Sequence, residues 1–157
     1  MTLKIKTGYR LNVAMIVLNK DNKVLFCKRR NTENWQFPQG GVDENENIES
    51  AMFRELNEEV GLEKDNVEIK AVSQNLIYYD IPKNIRSRVL GGKFKGQAQN
   101  YFLLKLISGD VDLNKENTPE FDKYSWVPFW YPLNQVVDFK KEAYRSALIE
   151  LKNQIKK

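Results

Sequence analysis

The sequence of 157 residues contains no histidine and a single cysteine, Cys27. Without histidine, the chain cannot carry a Ser-His-Asp triad or a Cys-His pair, and most kinds of zinc site are excluded as well. A single cysteine cannot form a disulfide within the chain. Any metal chemistry must therefore rely on carboxylates, which favour hard ions such as Mg²⁺ or Mn²⁺.

Long apolar stretches are also missing. No run approaches the roughly 20 residues that cross a bilayer, and the first residues, MTLKIKTGYRLNV, lack the apolar core and cleavage site of a signal peptide. With 41% apolar and 29% charged residues, the composition is that of a globular protein. We therefore expect one domain over residues 1–157, a cytoplasmic location and no membrane partner.

The charges are unevenly distributed. The chain is basic, with 25 Lys+Arg against 21 Asp+Glu and a pI near 9.0, which is compatible with a polyanionic partner such as nucleic acid or nucleotide phosphates. Acids nevertheless dominate residues 40–62, which read GGVDENENIESAMFRELNEEVGL, and Arg54 is the only cation there. This concentration of acids is compatible with a binding site for cations and with a solvated acidic surface.

Hydrophobic periodicity predicts an α/β (α+β) architecture. Strands are predicted at residues 11–19, 23–30, 35–37, 97–108 and 124–129, with one long strand or two shorter ones at 67–81. Helices are predicted at 48–60, with Gly61 as C-cap, and at 139–155. Residues 82–96, rich in Lys and Arg and here called the basic loop, lie between strands. The order of elements favours a mixed sheet with helices packed on it.

The predicted helix over residues 48–60 separates acids from apolar residues. Glu55, Glu58 and Glu59 fall within an arc of roughly 100°. Met52, Leu56 and Val60 occupy the adjacent face. Like charges at these spacings destabilise a helix, and a divalent cation between them would remove that repulsion. A solvated acidic face is the simpler alternative.

The spacing of this segment resembles a known motif. Gly40, five residues, Glu46, seven residues, Arg54-Glu55-Leu56, one residue, Glu58-Glu59, one residue and Gly61-Leu62 matches the box of the Nudix hydrolases, G-x5-E-x7-R-E-U-x-E-E-x-G-U with U aliphatic. The resemblance implies the Nudix fold, a mixed β-sheet sandwiched between α-helices. It also implies hydrolysis of a nucleoside diphosphate linked to another moiety, with Mg²⁺ or Mn²⁺ as cofactor.

Segments outside the box resemble one branch of that family, the bacterial RNA pyrophosphohydrolases. These segments are GYRLNVAMIVLN, KRRNTENWQFPQGGV, YFLLKLISGD, TPEFDKYSWVPFWYP and VVDFKKEAYR. The branch removes pyrophosphate from the 5′-triphosphate end of RNA and leaves a 5′-monophosphate that exposes the transcript to decay. The resemblance thus implies triphosphorylated or diphosphorylated RNA as partner. Action alone and action with an activating protein partner are both compatible with the sequence.

Two other functions remain open at this point. Diadenosine tetraphosphate hydrolases share the stretch WQFPQGG, so hydrolysis of dinucleoside polyphosphates is the alternative enzymatic function. A non-catalytic Nudix module that only binds nucleotides is the third hypothesis. Loss of a glutamate from the box would favour the third hypothesis, and the box is intact here.

The resemblance implies two sets of site residues. The catalytic and metal-binding set contains Gly40, Glu55, Glu58, Glu59 and Glu120, with Arg54 orienting a neighbouring carboxylate and Glu120 acting as ligand or general base. The substrate-binding set contains Arg10, Arg29, Gln39, Tyr79, Val137, Phe139 and Lys140. Structural roles compete with several of these assignments: a salt bridge for Arg10, core packing for Tyr79 and helix packing for Phe139.

Overall fold

The computed structural model describes residues 4–155, and within them the strands form one mixed sheet. The strands are β1 (Tyr9–Leu18), β2 (Val24–Arg29), β3 (Trp35–Gln36), β4 (Gln39–Gly41), β5 (Val67–Val72), β6 (Ile77–Asp80), β7 (Gly96–Leu106) and β8 (Phe121–Val127). The helices are α1 (Ile48–Val60), α2 (Pro132–Gln135) and α3 (Lys141–Ile155). Short 3₁₀ turns lie at Lys64–Asn66, Arg86–Arg88, Leu90–Gly92 and Asp138–Lys140. No helix within residues 4–155 is long and apolar enough to cross a membrane.

The sheet is built around β1. Its main path runs β3-β2-β1-β7-β5, while β4 pairs with β1, β6 with β7 and β8 with β2. The pair β1–β7 is parallel and the other pairs are antiparallel. From Val13 to Leu18 every residue of β1 is buried, as expected for a strand covered on both faces.

Helices cover the two faces of this sheet. Alternate residues of β1 point to opposite faces, so Val13, Met15 and Val17 pack with α1 while Ala14, Ile16 and Leu18 pack with α3. Helix α1 buries the predicted face of Met52, Leu56 and Val60. The expected mixed sheet sandwiched between α-helices is therefore confirmed.

Several boundaries differ from the sequence prediction. Strand β4 lies in a segment predicted as a loop, helix α2 lies in a segment for which no element was predicted, and β8 begins three residues before the predicted strand. The segment 67–81 forms two strands, since the chain leaves the sheet between Val72 and Ile77. In α3, Tyr144 and Ala147 are buried, whereas the predicted apolar residue Ile155 is 45% exposed. Short pairings such as β4 with β1 depend on distant partners and leave little local pattern.

Tyr144 connects α3 to the segment that enters the box. Its hydroxyl accepts a hydrogen bond of 2.9 Å from the backbone N–H of Phe37, and the two rings stack with centroids 4.6 Å apart. Both side chains are fully buried. The contact therefore fixes the backbone that leads into β4.

We expect Tyr144→Phe to lower the free energy of unfolding by about 1–3 kcal/mol, because the buried N–H of Phe37 loses its acceptor. Denaturant unfolding measures this. The matched control, Tyr124→Phe, removes an exposed hydroxyl and should change stability by less than about 0.5 kcal/mol. Equal stability of the two variants would contradict the bracing role of Tyr144.

Candidate active site

A loop leads from strand β4 into helix α1, which carries the predicted metal-binding acids Glu55, Glu58 and Glu59. The Asn47 side chain caps its first turn by accepting a hydrogen bond of 2.8 Å from the N–H of Ser50. Gly61 ends the helix with φ of 72°, a left-handed conformation that glycine adopts without strain. Because the apolar face of α1 docks on the sheet, Glu55 and Glu59 turn towards a cleft beside β4.

Arg54 is the centre of the acidic segment. Its Nε and Nη2 atoms donate to the two carboxylate oxygens of Glu46 at 2.7 and 2.9 Å, and Nη2 also donates to the Gly41 carbonyl at 2.9 Å. Its Nη1 atom donates to Glu55 at 2.8 Å and to Glu58 at 3.3 Å. The hydrogen bonds from Arg54 are the main cause that lowers the pKa of Glu46 to about 2. Arg54 thus ties the loop before α1 to the helix.

Two glycines allow side chains to approach the backbone of β4. A Cβ atom on Gly40 would lie 2.0 Å from Cδ of Glu55, and one on Gly41 would lie 1.9 Å from Nη2 of Arg10. Any larger residue would displace these side chains. The glycine pair therefore brings an acid and a cation to opposite sides of the same short strand.

Glu59 is the most buried acid of the helix. It is 9% exposed and accepts a hydrogen bond of 2.9 Å from the N–H of Gln39. Burial raises its pKa well above the ordinary value, and the neighbouring charges of Glu55 and Glu120 raise it further. Burial likewise raises the pKa of Glu55, against the opposing effect of Arg54. The carboxylates of Glu55 and Glu59 therefore repel each other at a site that is poorly solvated.

The predicted metal-binding acids surround one location without forming a ligand cluster. Glu55, Glu59, Glu120 and Gly40 line the cleft, whereas Glu58 is 42% exposed and turned to Arg54. Among residues 4–155, no three side chains that could bind a metal are grouped as a metal site. Arg54 forms hydrogen bonds with both Glu55 and Glu58. The assignment of these acids as metal ligands stays a prediction.

All seven predicted substrate-binding residues line this cleft of about 510 Å³. They are Arg10, Arg29, Gln39, Tyr79, Val137, Phe139 and Lys140. Arg10 forms no salt bridge with a residue in 4–155, so the structural alternative considered for it is absent there. Arg29 does form one, with its Nε 3.6 Å from the Glu120 carboxylate.

Lys140 lies at the inner wall of the cleft. It belongs to the 3₁₀ turn before α3, and its Nζ donates to Gln36 at 3.2 Å and lies 5.5 Å from the centre of the Tyr79 ring. Burial is the main cause that lowers the pKa of Lys140 to about 8. Phe139 packs against Tyr79 with ring centroids 5.8 Å apart. Phe139 and Tyr79 therefore both pack against other residues and line the cleft.

A buried polar network on β7 was not predicted. Gln97 donates to the Tyr79 hydroxyl at 2.7 Å, and Gln99 donates to Asn12 at 2.9 Å and to Gln39 at 3.0 Å. The network fixes Gln39 and Tyr79, two of the predicted site residues. Glutamines at alternate positions of the strand QAQNY were the signal in the sequence, because alternate residues share one face of a strand.

Comparison with known proteins agrees with this geometry. The family model described as NUDIX domain matches residues 8–151. A protein of Francisella tularensis subsp. mediasiatica named RNA pyrophosphohydrolase is 49% identical over 152 residues, which cover 96% of this chain and 97% of that protein. A protein of Cronobacter sakazakii with the same name is 44% identical over 145 residues, which cover 91% of this chain and 82% of that protein.

Solved structures with the same fold include enzymes with different substrates. The E. coli dihydroneopterin triphosphate pyrophosphohydrolase has a TM-score of 0.69 at 20% identity and covers 91% of this chain and 99% of its own. A C. elegans Ap4A hydrolase has a TM-score of 0.67 at 20% identity and covers 92% of this chain and 98% of its own. At such identities the likeness establishes the fold alone.

Because Glu59 is buried beside other acids, we expect Glu59→Gln to stabilise the fold at neutral pH. A buried carboxyl with a raised pKa favours its protonated form, so the wild type loses stability as pH rises above about 4.5. Glutamine keeps the shape and the acceptor for Gln39 without the charge. In EDTA at pH 7 we expect the variant to melt several degrees above the wild type, and the difference to vanish near pH 4. Melting curves across this pH range measure both effects.

The matched control is Glu49→Gln, which removes an exposed acid from the same helix. It should leave the pH dependence of melting unchanged. A Glu59→Gln protein that melts at or below the wild-type temperature at pH 7 would refute the proposed repulsion.

Proposed function

The chain belongs to the Nudix hydrolase family, and we propose that it removes pyrophosphate from the 5′-triphosphate end of RNA to leave a 5′-monophosphate. The observation that carries the proposal is identity of nearly half the residues, over almost the full chain, to proteins named RNA pyrophosphohydrolase. Removing the pyrophosphate would expose the transcript to decay. We place this activity in the cytoplasm.

The charges of the cleft support this substrate. Arg10, Arg29 and Lys140 lie in the cleft with Glu55, Glu59 and Glu120. A cation beside a phosphate forms a charge-assisted hydrogen bond, so the basic side chains suit the triphosphate. Val137 and Phe139 supply apolar surface in the same cleft for a base, while Gln39 and Tyr79 supply polar groups.

Nudix hydrolases depend on divalent metal ions, and we propose Mg²⁺ or Mn²⁺ for this chain. The residues fit such an ion, because buried carboxylates that repel one another suit a hard cation. Its ligands would come from Gly40, Glu55, Glu58, Glu59 and Glu120. When bound, the ion would neutralise phosphate charge and activate water for attack.

Arg54 has a positioning role in this proposal. It contacts Glu46, Glu55 and Glu58 through charge-assisted hydrogen bonds and lies outside the lining of the cleft. Arg54 therefore orients the carboxylates while the cleft residues hold the substrate. Lysine could not replace it, because a single ammonium lacks the planar fork that spans three acids.

Hydrolysis of dinucleoside polyphosphates is the second candidate. It is favoured by the stretch WQFPQGG, which includes the cleft residues Trp35, Gln36 and Gln39. The same carboxylates would serve both reactions. The two substrates differ in the group attached beyond the phosphates, namely an RNA chain or a single second nucleoside.

We expect triphosphorylated RNA to be hydrolysed with a kcat/KM at least about tenfold above that for diadenosine tetraphosphate, a difference of about 1.4 kcal/mol in transition-state binding. Both substrates and diphosphorylated RNA are offered in parallel with Mg²⁺ or Mn²⁺. EDTA should abolish activity, and either ion should restore it. A preference for diadenosine tetraphosphate would establish the second candidate, while activity that survives exhaustive EDTA treatment would exclude the metal requirement.

The variant Glu58→Gln tests whether this acid of the catalytic and metal-binding set is needed for turnover. We expect kcat to fall about a thousandfold or more, since an amide loses both the charge and the basicity of the carboxylate. The side chain is partly exposed and contacts Arg54 alone among the described hydrogen bonds, so the melting temperature should change little. Glu49→Gln is again the control on the same helix. Turnover within tenfold of wild type would remove Glu58 from the catalytic residues.

A further inference from the structure

The basic loop, residues 82–96, joins β6 to β7 and contains cations without any acid. Its cations are Lys83, Arg86, Arg88, Lys93 and Lys95. Such a segment is often only a solvated surface. Three observations argue against that interpretation here. Contacts fix the conformation of the loop, the loop lines the cleft, and most of its cations form no salt bridge within residues 4–155.

Internal contacts give the basic loop a defined shape. Arg86 donates through Nε and Nη2 to the carbonyl of Ile81 at 3.2 and 2.9 Å. At the base, the N–H of Ile81 donates to the Lys95 carbonyl at 2.8 Å. Val89 and Leu90 pack against the buried cluster that contains Tyr79 and Ile81. The loop is therefore anchored by its own cation and its apolar residues.

One side of the loop is a wall of the active-site cleft. Ile85, Arg88, Val89 and Leu90 line the cleft together with the predicted substrate-binding residues. The remaining lysines, Lys83, Lys93 and Lys95, lie on the same short segment and outside the cleft lining. An RNA chain that left the cleft on this side would therefore meet the loop.

The exposed cations of the loop are not neutralised by acids in the described part of the chain. Within residues 4–155, Lys83, Arg88, Lys93 and Lys95 form no salt bridge. The neighbouring acid Asp80 instead accepts a hydrogen bond from the Tyr9 hydroxyl. Unpaired cations beside a phosphate-binding cleft complement the charge of a polynucleotide.

Two aromatic rings lie near the last lysine of the loop, Lys95, and near Lys6 from the segment before β1. Nζ of Lys95 lies 5.1 Å from the centre of the Tyr9 ring, and Nζ of Lys6 lies 4.7 Å from that of Tyr78. The two rings meet edge to face with centroids 4.9 Å apart. Cations alternating with aromatic rings are typical of surfaces that bind single-stranded nucleic acid.

We propose that the basic loop binds the backbone of the RNA chain downstream of the reacting 5′ end, and thereby favours RNA over dinucleoside polyphosphates. A dinucleoside polyphosphate has no further backbone phosphates to reach the loop, so only RNA gains from these contacts. Backbone contacts carry no sequence preference of their own. The inference rests on the proposed function, because it concerns the remainder of the same substrate.

The test variant is Lys83→Gln/Lys93→Gln/Lys95→Gln, which removes three exposed charges and keeps most of each side chain. The control, Lys20→Gln/Lys23→Gln/Lys64→Gln, removes three exposed charges outside the cleft lining. Substrates are a triphosphorylated dinucleotide and a triphosphorylated single strand of about 12 nucleotides, within the usual length of single-strand sites. Melting curves verify that each protein is folded.

We expect the loop variant to lose about tenfold in kcat/KM on the long RNA and to stay within about twofold of wild type on the dinucleotide. The control should match wild type on both. The slope of log binding constant against log salt for the long RNA should become shallower by about 2, at about 0.7 for each lost phosphate contact. Equal losses on both lengths, or no loss on either, would overturn the proposal.

Binding of a long RNA with a 5′-hydroxyl end separates this inference from the proposed function. Such RNA cannot react, so its anisotropy titration measures binding without turnover, and the difference between the loop variant and the wild type reports the contribution of the loop. A weaker, less salt-dependent affinity of the loop variant supports the loop as an RNA site even where triphosphorylated RNA is not hydrolysed, and an unchanged slope refutes it. Arg88→Gln is a second, single-charge variant, for which the slope should become shallower by about 0.7.

Discussion

The candidate active site depends on the hydrogen bonds of Arg54. Its guanidinium contacts Glu46 in the loop, Glu55 and Glu58 in the helix and the backbone of β4 at the same time. Without this cation, the loop and helix would bring several carboxylates together with no opposing charge, and repulsion would separate them. A planar fork with five donors satisfies this geometry. The dense acidic segment can therefore fold while it retains acids that face the cleft.

The acidic and the basic side chains of the cleft come from different elements of the fold. The acids come mainly from one helix, while Arg10, Arg29 and Lys140 come from β1, β2 and the turn before α3. Glu59 and Lys140 are both buried with shifted pKa values, and in each case burial is the first cause. The fold thus keeps poorly solvated charges of both signs at one place. Such charges oppose stability and are typical of functional sites.

The sequence was most informative where the controlling contacts are local. The bounds of α1, its apolar face and its left-handed cap follow from spacing within a few turns, and the structure agrees at Met52, Leu56 and Val60. The network from Gln99 to Asn12 and Gln39 joins residues on three strands, so the alternation of glutamines along β7 could indicate a polar face but not these partners. The engagement of Glu58 by Arg54 was missed for another reason. Helical angles place a side chain on a face but do not decide which neighbour it contacts.

The same distinction explains why the box identifies the chemistry better than the substrate. Residues 40–62 contain most of the acids, their organising arginine and the glycines that let them approach, all within the end of β4, one loop and one helix. The groups suited to bind the remainder of a substrate lie on Arg10, Arg88 and Lys140, which only the sheet and its connections bring together. One arrangement of backbone can therefore accommodate different cleft walls, as the shared fold of enzymes with unlike substrates illustrates. Substrate choice in this chain is accordingly a property of its tertiary structure.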